Sequence, residues 1–164
     1  MIHAYKVILE HSRKKKDQTK KYLEKLKKSK VRNLDQVVME LDEEVWSEID
    51  CLQCANCCAT TGPLLLDKDI ERLAKSLKMR PANFTETFLK IDEDKDYVFK
   101  AMPCPFLGDD KYCSQYESRP NACREYPHTS QRNFSVRLKI TYENSMICPA
   151  VALIVDRLKL KIPL

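Results

Sequence analysis

In the stretch NLDQVVMELDEEVWSEID (33–50), Val37, Leu41, Val45 and Ile49 recur every four positions, and Val38 and Trp46 widen the stripe. That spacing predicts an amphipathic helix with one buried face, in which Trp46 packs rather than binds. Asn33, with Gln36 three residues later, has the form of a capping box at its start. Upstream, residues 13–32 are polar almost throughout, with Tyr22, Leu23 and Leu26 as apolar anchors, and predict a mostly solvated helix. Downstream, Ile70, Leu73, Ala74 and Leu77 share one face of KDIERLAKSLKM, with Asp67 as its expected cap. Pro81 opens a shorter helix that presents Phe84, Phe88 and Leu89.

The later pattern changes period. DEDKDYVFKAMPC reads as a turn and a short extended run. In RNFSVRLKITY (132–142), Phe134, Val136, Leu138 and Ile140 alternate, which predicts a strand able to pair with that run. A last helix begins at Pro149, with Val151, Ile154, Val155 and Leu158 inward. The expected fold class is mainly α with a small β element (α+β), its irregular cysteine-rich segments organised around bound metal. The expected organisation is a pair of N-terminal helices over 1–47, basic then amphipathic, followed by a cysteine-cluster metal-binding domain over 48–164.

Bulk properties narrow the function. A chain of 164 residues buries about 70% of its unfolded surface, so it does not need covalent staples. The longest apolar run, Ala150 to Val155, is far short of the roughly 20 residues that span a membrane. The N-terminal residues place apolar positions before charged ones, the reverse of a secretory signal. The expectation is a cytoplasmic protein, where clustered thiols point to metal or redox chemistry. Only Gly62 and Gly108 are present, so no glycine-rich phosphate loop can be written. Residues 13–32 carry 11 Lys and Arg against Asp17 and Glu24. The plain reading is a solvated face. The sharper one is an arm for a protein or nucleic-acid partner, without the aromatic residues that stacking would add.

The chemistry lies in eight cysteines: Cys51, Cys54, Cys57, Cys58, Cys104, Cys113, Cys123 and Cys148. A C-x-x-C turn lets two thiolates converge while backbone amides stabilise their charge, and eight thiolates suit two four-ligand sites. Cys57 and Cys58 are adjacent, so their side chains point apart and serve different sites, or one is not a ligand. Cys51-x2-Cys54-x2-Cys57 matches a ferredoxin-type run, and Cys104-Pro105 and Cys148-Pro149 both offer the remote Cys-Pro that supplies its fourth ligand. Zinc accounts for the same inventory, so zinc and iron, a 4Fe–4S cluster included, both stand. Buried inert thiols and disulfides are the plainer readings. Cys123 precedes His128 by five residues, a Cys–His pair without a third orienting group. His128 is either a loop residue or a further ligand. His3 and His11 are expected to be exposed.

The segments CLQCANCC, GPLLLDKDIERLA, PCPFLGDDKYCSQYESRPNACREYPH and ICPA together resemble the YkgJ-like cysteine-cluster proteins, whose domain is named for a C-x-x-C-x-x-C-C signature. The resemblance covers roughly residues 48–155. It departs at Ala55-Asn56, where many relatives carry a glycine before Cys57. It implies zinc or iron chelation by the eight cysteines. It also marks Arg119-Pro120, whose guanidinium is placed to offset clustered negative charge. A similar domain occurs in flagellin lysine methylases, which is an analogy of fold and not of function. The function expected from all this is a metal-binding protein with two sites and metal coupled to folding. The alternatives are an iron–sulfur redox or catalytic protein, and an adaptor with a basic N-terminal helix and structural zinc.

Overall fold

The computed structural model describes residues 2–164. In chain order the helices and strands are α1 (His3–Lys14), α2 (Lys16–Ser29), α3 (Leu34–Glu48), α4 (Cys51–Cys54), α5 (Asn56–Thr60), β1 (Leu64–Leu65), α6 (Asp67–Ser76) and α7 (Pro81–Phe88). They continue with β2 (Leu89–Ile91), β3 (Tyr97–Phe99), α8 (Asn121–Glu125), a 3-10 turn (Phe134–Arg137), α9 (Leu138–Ser145) and α10 (Pro149–Lys161). The architecture is mainly helical with one small antiparallel sheet. No helix among the described residues is long and apolar enough to cross a membrane.

The chain forms two compact units, named here by their place in the sequence. The flanking unit comprises Met1–Cys54 and Pro127–Leu164, and the middle unit comprises Ala55–Tyr126.

In the flanking unit, α10 packs against α3, α9 and α1. Its Ala150, Val151, Ile154, Val155 and Leu158 are almost wholly buried, as are Val38, Leu41 and Val45 of α3. Arg157 on α10 binds both Glu44 and Glu48 on α3, with Nη1 2.6 Å from Glu44 Oε1 and Nη2 2.7 Å from Glu48 Oε2. The basic segment is two helices, not one. Tyr22, Leu23 and Leu26 of α2 are buried while most of its lysines face outward. The Tyr22 hydroxyl reaches the carbonyls of Leu158 (3.1 Å) and Ile162 (3.0 Å) at the end of α10. Burial pushes this phenol up to about 12.

Two expectations fail here. The Asn33 side chain makes no capping bond, and Gln36 donates instead to Glu40. The strand expected over 132–142 is the 3-10 turn followed by α9. Phe134, Leu138, Thr141 and Ser145 are the buried positions, at helical spacing, whereas Val136 is 75% exposed. Asp35 fixes the turn's start by accepting the N–H groups of Asn133 (2.7 Å) and Phe134 (2.9 Å). His3 and His11 are exposed, as expected.

The middle unit holds the sheet, ordered β1-β3-β2. Leu64 pairs with Val98, and Leu89 with Phe99, both antiparallel. Thus β3 finds its partners in 64–65 and 89–91, not in 132–142, and Leu89 ends α7 by entering a strand. Below the sheet lies a core of Leu65, Ile70, Leu73, Ala74, Phe84, Leu89, Phe99 and Phe106. The Phe99 and Phe106 rings meet edge to face at 5.6 Å. Asp67 is exposed at the first position of α6 and does not cap it. Asp69 does, because its buried Oδ2 accepts the Leu66 N–H at 3.1 Å.

Candidate metal centre

No disulfide joins any of the eight cysteines. They fall into two sets by unit.

The flanking unit carries Cys51, Cys54 and Cys148. Cys51 and Cys54 bound the single turn α4, which Asp50 caps. Its Oδ1 accepts the Leu52 N–H at 2.9 Å and its Oδ2 accepts Gln53 Nε2 at 3.1 Å. Asp50 is itself anchored, because its N–H donates to the buried Tyr5 hydroxyl at 2.8 Å. Cys148 sits at the N-cap position of α10, with its N–H bonded to Asn144 O at 2.7 Å. Burial pushes its thiol up to about 12, the N–H groups of Val151 and Ala150 pull it down, and charge at Cys51 and Cys54 adds to the rise. The three sulfurs are therefore within electrostatic reach of one another. His128 is half-buried in this unit, at a left-handed φ of 71°, a conformation in which histidine is enriched.

The middle unit carries Cys57, Cys58, Cys104, Cys113 and Cys123. Ala55, at φ 49°, turns the chain into α5, which bears the adjacent pair. Cys57 Sγ lies 3.9 Å from Cys58 Sγ, so the expected divergence of these adjacent side chains does not hold: the start of α5 brings both sulfurs together. The Cys57 thiol draws Cys58 down to about 7 against the effect of burial, and the Cys58 N–H assists. Backbone bonds assemble the rest. The Cys104 N–H donates to Cys58 O at 2.8 Å. The loop from Cys104 to Cys113 closes on itself through the Leu107–Cys113 bridge, the Leu107 N–H to Cys104 O bond (3.0 Å) and the Gly108 N–H to Tyr112 O bond (2.8 Å). A Cβ at position 108 would stand 2.6 Å from Asp110 Oδ1, so that side chain would have to move to admit one. Cys104 and Cys113 both pack on the aromatic core.

Cys123 rides on α8. Asp69 fixes that helix by accepting the Asn121 N–H at 3.1 Å, and Arg72 binds Asp69 while donating to the carbonyls of Ser118 (3.3 Å) and Arg119 (2.9 Å). Burial raises Cys123 to about 12, with charge at Cys58, Cys104 and Cys113 adding to it and Arg119 opposing. Burial likewise raises Cys104 to about 11, opposed by the N–H groups of Phe106 and Leu107, while Cys58 and Cys113 reinforce it. Cys113 is raised by burial and relieved by the Gln115 N–H and by Arg119. Backbone amides two or three residues ahead of Cys104, Cys113 and Cys148 thus act as donors to sulfur, the arrangement that stabilises a metal-bound thiolate. Arg119 stacks on Tyr116, its guanidinium 3.8 Å from the ring centre.

As the side chains stand, no three His, Cys, Asp or Glu among the described residues are placed to hold one ion. The donors nevertheless fit a soft metal, since they are thiols, mutually coupled and served by amide donors. The capping carboxylate of Asp50 had a sequence signal, an Asp immediately before a short cysteine turn. Tyr5 and Asp69 had none, because each acts on a segment distant in sequence.

A family model described as "CxxCxxCC: Putative zinc- or iron-chelating domain" matches residues 50–149. No curated protein and no solved structure matches the chain.

Proposed function

Since the chain belongs to the CxxCxxCC family, described as a "putative zinc- or iron-chelating domain", we propose that it is a metal-binding protein whose thiols take up zinc or iron at two sites, with uptake coupled to folding. The ligands are Cys51, Cys54, Cys57, Cys58, Cys104, Cys113, Cys123 and Cys148. The observation that carries this reading is the gathering of thiol-bearing segments in the middle unit, where Cys57 Sγ lies 3.9 Å from Cys58 Sγ, the Cys104 N–H bonds Cys58 O, and the Leu107–Cys113 bridge closes the loop between Cys104 and Cys113. Burial keeps Cys104 and Cys123 protonated at neutral pH, so a metal ion binds them by displacing those protons. A bound metal supplies a Lewis-acidic centre that takes the negative charge of several thiolates at once. The residues do the remainder: backbone N–H groups hold the sulfurs' orientation, Asp50 and Asp69 set the segments that bear them, and each protonated thiol releases its proton to solvent on ligation.

A second reading, an iron–sulfur protein, draws support from the Cys51-x2-Cys54-x2-Cys57 spacing and from the Cys-Pro pairs at 104 and 148. One experiment separates the two. The chain is purified without oxygen, and zinc, iron and acid-labile sulfide are measured per chain. Zinc without sulfide is expected for thiolate chelation. Iron with matching sulfide selects the cluster, and a chain that binds neither metal refutes both.

A further inference from the structure

We infer that the outer face of α2 is a docking surface for double-stranded DNA, which it holds by the phosphodiester backbones without reading sequence. The thiols play no part in it, so it stands apart from the metal-binding reading.

The face is defined by how α2 is held. Thr19, Tyr22, Leu23 and Leu26 turn inward. The Tyr22 hydroxyl is fastened to the end of α10, and Lys159 Nζ donates to Thr19 Oγ1 at 2.9 Å. With that side fixed, Lys16, Lys20, Lys21, Lys27 and Lys28 are all exposed. At 3.6 residues per turn they form two rows. Lys16, Lys20 and Lys27 share one flank, Lys21 and Lys28 the other, and Asp17 and Glu24 lie between them. Each acid stands four residues before a lysine of the second row, a helical ion-pair spacing, so the two offset at most two of the five cations. Among the described residues none of these five lysines takes part in an ion pair. Lys25 reaches the Leu164 carbonyl at 3.5 Å and is not counted with them. The same sign continues past both ends of the helix in the exposed Lys14, Lys30 and Arg32.

What accompanies the charge selects the partner. Among the described residues of α2, no large apolar or aromatic side chain is exposed. Single strands are held by stacking bases on aromatic rings. A helix on a membrane surface buries an apolar face beside its basic one. Protein interfaces are anchored by aromatic residues and arginine. A duplex asks for none of these, because its bases stack on one another and it presents two lines of phosphates. Two rows of lysine on a preformed helix about 21 Å long suit that pattern. The B-form major groove admits an α-helix, whereas the deep, narrow major groove of duplex RNA does not. Seated there, each row meets one strand, and Asp17 and Glu24 sit over the groove, away from the phosphates.

The test uses the full chain, purified without oxygen, with a labelled DNA duplex of about 20 base pairs whose binding is followed against salt by fluorescence anisotropy. Five phosphate contacts give an expected slope of log K against log salt between about −4 and −5, little changed when the duplex sequence is scrambled. Lys20→Gln, Lys21→Gln, Lys27→Gln and Lys28→Gln together should flatten that slope by about 3 to 4. The control combines Lys68→Gln, Lys75→Gln, Lys90→Gln and Lys95→Gln, all exposed in the middle unit. It removes the same charge and should leave the slope unchanged. Should the fourfold α2 variant melt early, Lys20→Gln with Lys27→Gln should still flatten the slope by about 2. Equal loss in the α2 and control variants reduces the effect to net charge and overturns the assignment. Tighter binding to the separated single strand, to duplex RNA, to phosphatidylserine vesicles or to polyglutamate overturns it too, as does a wild-type chain that leaves the DNA duplex unbound at low salt.

Discussion

Asp69→Asn is the sharpest probe of the middle unit. The carboxylate is 1% exposed and accepts from Leu66 N–H, Asn121 N–H and the Arg72 guanidinium. Asparagine keeps its shape but offers one acceptor oxygen and turns an NH2 towards a donor. One buried N–H therefore loses its partner, which costs about 1–3 kcal/mol. The charge opposite Arg72 also disappears. Because the Arg72 side chain is 30% exposed, that loss is about 1 kcal/mol, well under the cost of breaking a fully buried pair. The total is about 2–4 kcal/mol. The assay is urea unfolding of the metal-loaded chain, with zinc release followed in parallel. Zinc bound through Cys123 should leave at lower urea, since α8 loses its anchor. Asp67→Asn is the control, because Asp67 is exposed and its removal costs only the helix-end effect of about 0.3–1 kcal/mol. If the two variants unfold together, Asp69 does not anchor the segment and the reasoning fails.

Three further outcomes follow from the same geometry. Arg119→Gln should weaken zinc binding about 10- to 100-fold, and Arg119→Lys should recover part of it, as read by competition with a chelating dye; equal loss in both would mean that charge is not the role. Tyr22→Phe should cost about 1 kcal/mol near neutral pH for the lost bonds to the end of α10. Burial pushes the folded phenol up to about 12, whereas an unfolded tyrosine keeps its ordinary value near about 10, so between those values only the unfolded state loses a proton. Wild-type stability therefore falls across that window, and the difference from Tyr22→Phe should shrink there in alkaline melts. Phe84→Ala, at a fully buried position, should cost about 3–5 kcal/mol in denaturant melts, and a loss below 1 kcal/mol would contradict the aromatic core described.

The helices α3, α6, α7 and α10 were legible because their buried faces are dense in aliphatic or aromatic residues at helical spacing. The segment 134–145 was not, because half of its buried face is hydroxyl. Thr141 Oγ1 donates to Arg137 O (3.0 Å) and Ser145 Oγ to Tyr142 O (2.6 Å), so both go inside while the apolar Val136 stays out. An alternation of four apolar residues then imitates a strand. β1 was missed for another reason, since two residues are too few to show a period. The cysteines stood out by spacing alone. Which sulfurs lie within reach of which was not legible, since that depends on a β-bridge inside the 104–113 loop and on a carboxylate more than 50 residues before Cys123.

Chain order gives the two units different histories during translation. The middle unit is one continuous run, and all five of its thiols have been polymerised once Cys123 is added. The flanking unit begins earlier but lacks Cys148 and the whole of α10, around which its core packs, until the final stretch is made. At about 5–20 residues per second, the later segment trails by one to several seconds. The ribosome thus adds every thiol of the middle unit before Cys148 and the C-terminal helix that complete the flanking unit.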